Sequence, residues 1–306
     1  MIKKIMKREF DIQSMIMAVL TLLTVVTSIL MGFLLYNRYG NAMRQMEIRD
    51  TQTLLQSTAN SLESYLRNMR QIGDTINYSV VQEMDVSDAQ FNQELSLLYE
   101  ANKDKIQSIV LCDNKGTLIA AEPVTVQKNG VEIADQAWFN IAVNEIENMH
   151  FSVPHIQNLF RDDSYRYHKV ISLSRSVDII DGGNPRNGVL LVDMKYSSIS
   201  DILGKINQES NEYYYYLCDG EGNIIYHPHE LELMRGLLEE NNADVAGYKD
   251  GIYTDRLNGE KRKVIVNTIA YTGWKLVGVV SQNTKTDSQV RFRYYIMTII
   301  TLLIMM

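Results

Sequence analysis

The chain has 306 residues, 45% hydrophobic and 22% charged side chains, and a formal net charge of −7. Once any membrane segment is set aside, that leaves room for one large domain or two small ones. The acidic balance disfavours nucleic acid and anionic polymers as partners, and the two cysteines, Cys112 and Cys218, exclude a disulfide framework.

The first element is an apolar run. Met15 to Tyr36, "MIMAVLTLLTVVTSILMGFLLY", contains no charged residue. At about 1.5 Å per residue it covers a hydrocarbon core of roughly 30 Å. It is longer than a signal-peptide core and has no small-residue cleavage site, so an uncleaved anchor is expected. Lys3, Lys4, Lys7 and Arg8 precede it and predict a cytoplasmic N-terminus (residues 1–14), with residues 37–290 outside the cell. Setting aside six basic and two acidic residues in the flanks leaves 24 basic against 35 acidic side chains, so the outer region carries about −11. After Arg291 and Arg293 the chain reads "YYIMTIITLLIMM". Those residues are too few to cross a bilayer and read as the truncated start of a second span, residues 291–306.

Between the spans, residues 37–105 predict a long stalk helix followed by a second helix. Leu55, Ala59, Leu62, Leu66, Met69, Ile72, Ile76 and Val80 recur at helical spacing. Such a stripe needs cover, from a partner subunit's helix or from the following sheet. Gly73 is a candidate kink, and Ser87 or Asp88 a candidate N-cap. The stretch "LCDNKGTLI" (Leu111 to Ile119) then predicts strand, tight turn, strand: Asp113 ties the turn and Gly116 takes its left-handed position. "IADQAWFNIAVNEI" predicts a short helix, "YRYHKVISLSRSVDI" a strand, "DGGNPRNG" a turn, "GVLLVDMKY" a buried strand and "SSISDILGKIN" a helix.

The cycle restarts at "LCDGEGNII" (Leu217 to Ile225), where Asp219 and Gly222 repeat the same turn. "HELELMRGLLEENN" predicts a helix, and residues 251–282 predict three strands. The fold class is therefore α+β: two small antiparallel sheets in tandem, residues 106–208 and 209–290, each with helices on one side. The tetrad Tyr213 to Tyr216 predicts a strand whose rings cover both faces. His227 and His229 lie two apart beside Glu230, but nothing completes a zinc set, so no metal is expected. No nucleophile–base, P-loop or nucleotide-loop signature occurs; no catalytic residue and no cofactor is assigned.

The two D-x-x-G hairpins, "DQAWF", "VISLSRSV", "GVLLVD" and "IIYHP" together resemble the double Cache domain, a pair of PAS-like modules on one long helix found outside bacterial membrane receptors. The segment "LLQSTANSLESYLRNMRQIGDTINYS" is also similar to the start of YesM-like sensor histidine kinases. The resemblance implies a homodimeric receptor in the bilayer that binds a small extracellular ligand in its distal module. The output would be a histidine kinase acting on a response regulator. The alternatives are a methyl-accepting chemotaxis protein, a diguanylate cyclase, or a surface-anchored hydrolase or adhesion module.

Amino-acid-binding members of that family carry an Arg before a Trp-Tyr pair, a Tyr and an Asp in the next loop, and an Asp after the buried strand. Here Trp138 and Asp193 stand at the Trp and last Asp positions, Phe139 at the Tyr and Gln136 at the Arg. His155 and Gln157 take the next-loop positions, with Tyr165, Tyr167 and Arg175 as further lining candidates. A neutral Gln136 cannot compensate a buried ligand carboxylate. The resemblance thus implies a neutral polar ligand, such as a sugar, or a cationic amine, in place of a standard α-amino acid.

Overall fold

The computed structural model describes residues 12–124, 126–145, 149–161, 167–207, 213–281, 296, 297 and 299. The expected start of the second span lies outside them apart from residues 296, 297 and 299, as does Tyr165. The predicted apolar span and stalk form one continuous helix, α1 (Ile12–Ile76), of 65 residues. At about 1.5 Å per residue this rod is about 100 Å long. Its Met15–Leu34 portion has a mean hydropathy of 2.3 and is unburied among the described residues. A single π turn, Asn77–Val81, closes its far end, and α2 (Ala89–Asn102) follows.

Two antiparallel sheets hang on this rod. The distal one comprises β1 (Ile106–Asp113), β2 (Leu118–Glu122), β3 (His150–Phe151), β4 (His155–Ile156), β5 (Lys169–Asp181) and β6 (Asn184–Lys195). Its order is β2-β1-β6-β5-β3, with β4 also on β5. Helix α3 (Ala137–Asn144) lies in the segment between β2 and β3, and α4 (Tyr196–Asn207) leads out. The proximal sheet comprises β7 (Tyr213–Cys218), β8 (Ile224–Tyr226), β9 (Gly251–Leu257), β10 (Glu260–Thr268) and β11 (Lys275–Ser281), in the order β8-β7-β11-β10-β9. The two orders match strand for strand. Between β8 and β9 lie the one-turn helices α5 (Glu230–Met234) and α6 (Asn242–Ala246).

Strand alternation gives each sheet two faces. Ile109, Leu111, Leu173 and Val192 of the distal sheet, and Tyr215, Leu217 and Leu276 of the proximal one, face α1. They bury the whole predicted stripe from Leu55 to Val80 in one continuous core. The chain's own sheets therefore cover the stalk. The opposite faces form separate clusters, around Trp138 in the distal module and around Tyr216 in the proximal one.

The repeated hairpins share their chemistry. Asp113 Oδ1 accepts the N–H groups of Lys115 and Thr117 at 2.9 and 2.7 Å. Asp219 Oδ1 accepts those of Glu221 and Asn223 at 2.9 and 2.8 Å. Gly116 and Gly222 have φ of +82° and +92°. A Cβ on either would also strike backbone of the following segment, at Ala134 or Ala243. Cys112 and Cys218 end the paired strands as buried free thiols, each pushed up to about 12 by burial.

Two expectations need correction. "DGGNPRNG" is mostly strand: only Gly182 and Gly183 turn, with φ of +56° and +75°, and residues 184–188 continue β6. Asp85, beside α2, accepts both glycine N–H groups at 3.1 and 2.7 Å, which anchors so tight a hairpin. "HELELMRGLLEENN" forms only the short α5, because Leu231, Met234 and Leu237 are exposed and find no surface to bury a longer helix. Gly73 lets α1 approach the Leu173 side chain, 3.2 Å from where a Cβ would stand.

Rod and sheet also approach closely at Gly278 in β11. A Cβ there would lie 2.8 Å from Leu55 and 3.0 Å from Thr51. Gly278→Ala should therefore cost about 1–3 kcal/mol of stability through overpacking, measured by chemical denaturation. An unchanged midpoint would show that the rod can move away from the sheet.

Candidate functional site

The distal face away from α1 is built by alternation. Val189 and Leu191 of β6 point there, so Asp193 does too. In the same way Val110 and Cys112 place Ser108 on that face. Ser172 and Ser174 follow on β5, where the alternating "SLSRS" turns its hydroxyls outward and its Leu173 inward.

Asp193 is 2% exposed, and no cationic side chain bonds it among the described residues. Ser108 Oγ donates to its Oδ2 at 2.7 Å, and Ser172 Oγ to its Oδ1 at 2.5 Å. Burial pushes its carboxyl above the ordinary value, against the two serine bonds and the nearby His155. His155 Nε2 lies 3.3 Å from Ser172 Oγ, and its Nδ1 3.0 Å from the Val153 carbonyl and 3.3 Å from Ser152 Oγ. The Val153 carbonyl can only accept, so Nδ1 carries a proton. Ser172 has one hydroxyl hydrogen, directed at Asp193. Satisfying every bond from Asp193 through Ser172 to His155 then requires one further proton, held on the imidazole or on the carboxyl.

Trp138 and Phe139 lie in α3, buried over the same face, their rings edge to face at 6.0 Å. Ser174 Oγ donates to the Trp138 carbonyl at 3.1 Å. Neighbouring serines on β5 thus hold Trp138 and Asp193 over one patch of sheet. Gln136 caps α3 through its carbonyl, and its side-chain Nε2 turns back to the Glu132 carbonyl at 3.3 Å. Gln157 is half-buried beside β4, and its N–H donates to the His168 carbonyl.

Two candidates stand elsewhere. Arg175 has the parity of Leu173 and faces α1, where its Nη1 meets Asp74 Oδ1 at 2.7 Å. Tyr167 is 85% exposed. The sequence reading missed Ser108, Ser152 and Ser172. The alternating serines of β5 were the available signal, because polar residues repeating every second position mark a polar patch on a buried face.

A family profile described as Cache domain matches residues 40–288. No curated protein sequence matches the chain. Among solved structures, the ligand-binding domain of the Pseudomonas aeruginosa amino-acid chemoreceptor PctC, in complex with GABA, is 18% identical. Its TM-score is 0.55, covering 74% of this chain and 96% of that one. The domain of Pseudomonas fluorescens chemoreceptor CtaA with L-isoleucine is 15% identical, with a TM-score of 0.57 over 79% and 95%. That of Campylobacter jejuni Tlp3 with 4-methylisoleucine is 13% identical, with a TM-score of 0.57 over 78% and 91%. At these identities the likeness is one of fold.

Proposed function

The chain belongs to the Cache domain family, and on that premise we propose that it is the extracellular sensory region of a membrane receptor. Its distal module binds a small ligand bearing an ammonium group, against Asp193 and under Trp138. The observation that carries this reading is the carboxyl of Asp193, buried with two serine hydroxyls on its oxygens and with no cationic side chain bonding it among the described residues. An ammonium would supply the missing countercharge, and the Trp138 face would add a cation–π contact.

The solved relatives favour the same chemistry, since GABA and L-isoleucine both carry an amine. They also carry a carboxylate, and here Gln136 offers no charge to hold one. Amines without that group therefore rank first, amino acids second and sugars third.

Occupancy reaches the rest of the chain by two routes. Both sheets pack on α1, which continues into the apolar span. Phe151, next to Ser152, sets its ring 5.9 Å from Tyr271 and 6.2 Å from Trp274 of the proximal module. A homodimer, an N-terminus in the cytoplasm and a histidine-kinase output acting on a response regulator complete the proposal. Solved relatives that are chemoreceptors favour a chemotaxis output as the second reading.

A thermal-shift screen of the chain in lipid nanodiscs against polyamines, monoamines, amino acids and sugars tests the ligand class. A binder at 100 times its dissociation constant should add about 2.7 kcal/mol of stability. An amine should score, and Trp138→Ala and Asp193→Asn should each cut the shift to about half or less. A shift given by sugars alone, or one that both substitutions leave at full size, refutes the reading.

A further inference from the structure

The proximal sheet repeats the distal topology, and the segment between β8 and β9 covers its outer face. Under that cover lies a buried charge cluster that the ligand site does not use. The Glu240 side chain is fully buried, 2.8 Å from Arg262 Nη2, and accepts a hydrogen bond from the Tyr214 hydroxyl. Arg262 also donates from Nε and Nη2 to Asp255 Oδ2, at 3.0 and 2.9 Å. His227 is fully buried as well. Its Nε2 lies 3.7 Å from Glu240 Oε1, beyond hydrogen-bond reach. The rings of Tyr214, Tyr216 and His229 pack around it at 5.4, 5.6 and 5.8 Å.

One bond shows how the His227 ring is protonated. The His229 backbone N–H donates to His227 Nδ1 at 3.0 Å. A backbone N–H can only donate, so Nδ1 is bare and the neutral ring carries its proton on Nε2. A second proton has only Nδ1 to occupy, where it would meet the His229 N–H head on. Uptake therefore breaks that bond and turns the ring. In return, the imidazolium joins a cluster in which Glu240 and Asp255 share the single guanidinium of Arg262. That removes an uncompensated negative charge.

We propose that the proximal module is a second sensory site whose ligand is the proton, taken up at His227 Nδ1. Its output is built into the next residues. His229 opens α5, and Glu230 immediately after it bonds Lys169 Nζ at 2.5 Å. Lys169 begins β5 of the distal sheet and sits 4.1 Å over the Tyr196 ring at the start of α4. Turning His227 thus disturbs the turn that holds the two modules together, three residues from the ion pair that joins them.

The test uses the whole chain in nanodiscs with ¹⁵N-labelled histidine. At about pH 8 one buried histidine should show the Nε2–H tautomer, and acidification should convert that ring to an imidazolium. Over the same titration the His229 amide should lose about tenfold of its protection from hydrogen exchange, after correction for intrinsic pH dependence. That is the effect of one hydrogen bond worth about 1.4 kcal/mol. His227→Gln should abolish the pH response. His229→Ala keeps the backbone N–H and should retain it. An Nδ1–H tautomer at pH 8, a response unchanged in His227→Gln, or one lost in His229→Ala overturns the proposal. If His227→Gln does not fold, the tautomer in the wild-type chain decides. Distal ligand affinity, measured at pH 8, is independent of the result.

Discussion

Replacing Arg262 with alanine should lower the unfolding free energy by about 3–5 kcal/mol. Arg262 stands between two carboxylates on a nearly closed face: Glu240 with a fully buried side chain and Asp255 largely covered. Burial opposes ionisation of both, yet their partners outweigh it and hold both carboxyls below their ordinary values. For Glu240 these are the nearby His227 ring, Arg262 and Tyr214, of which Arg262 and Tyr214 are within bonding distance; for Asp255 they are Arg262, Asn241 and the Arg256 N–H. Removing the guanidinium strands a buried negative charge, which costs more than the ion pair itself contributes. Arg262→Met combined with Glu240→Gln should recover a large part of the loss, since a neutral pair strands nothing. The sign with pH follows. Depressed carboxyls contribute stability that is complete above the unfolded-state values, 4.5 for Glu240 and 3.8 for Asp255, and is lost as pH falls through the lower native ones. Arg262→Ala should therefore flatten the acid limb of the wild-type stability curve. Denaturant titrations at several pH values check both effects; a loss below about 1 kcal/mol would show that water reaches Glu240.

Leu66→Ala should cost about 2–5 kcal/mol. Leu66 is completely buried on α1, in the single core that joins the rod to both sheets. Truncation leaves a cavity that neither sheet can close without breaking strand register. Because the core is continuous, the distal and proximal modules should lose stability together and keep one unfolding transition. Arg67→Ala, one residue along on the exposed side, should stay within about 0.5 kcal/mol. Two transitions in Leu66→Ala, only one of them shifted, would show that the modules fold independently and that the rod is not their shared core.

What was legible in the chain was what periodicity and turn chemistry encode. The stripe from Leu55 to Val80 repeats at helical spacing for over six turns, and all of its residues are buried. The paired hairpins carry Asp and Gly at fixed offsets, so both turns formed as expected and gave the module count. Less visible was anything set by a partner distant in the chain. α5 stops after five residues because no surface receives its apolar face. The Gly182–Gly183 turn could be so tight only because Asp85, far away in sequence, bonds both glycines.

The site divides the same way. Trp138 and Asp193 share the outer face of the distal sheet, and their strand and helix positions were readable. Asp193's partners Ser108 and Ser172, 85 and 21 residues away in sequence, were not. Arg175 is expected from the resemblance to line the same space, but alternation along β5 sends it to the rod and Asp74. Counting from Leu173, whose apolar side chain belongs with the core, would have placed it correctly.

That contrast between the two faces supplies the most direct test. The dissociation constant of the best amine from the screen should be measured by calorimetry for the wild-type chain, Asp193→Asn and Arg175→Ala. Losing a charge-assisted bond worth about 1.5–3 kcal/mol should weaken Asp193→Asn by about 10- to 150-fold, while Arg175→Ala keeps wild-type affinity. Equal affinity in Asp193→Asn and wild type, or a loss confined to Arg175→Ala, would contradict a ligand site on the Trp138–Asp193 face.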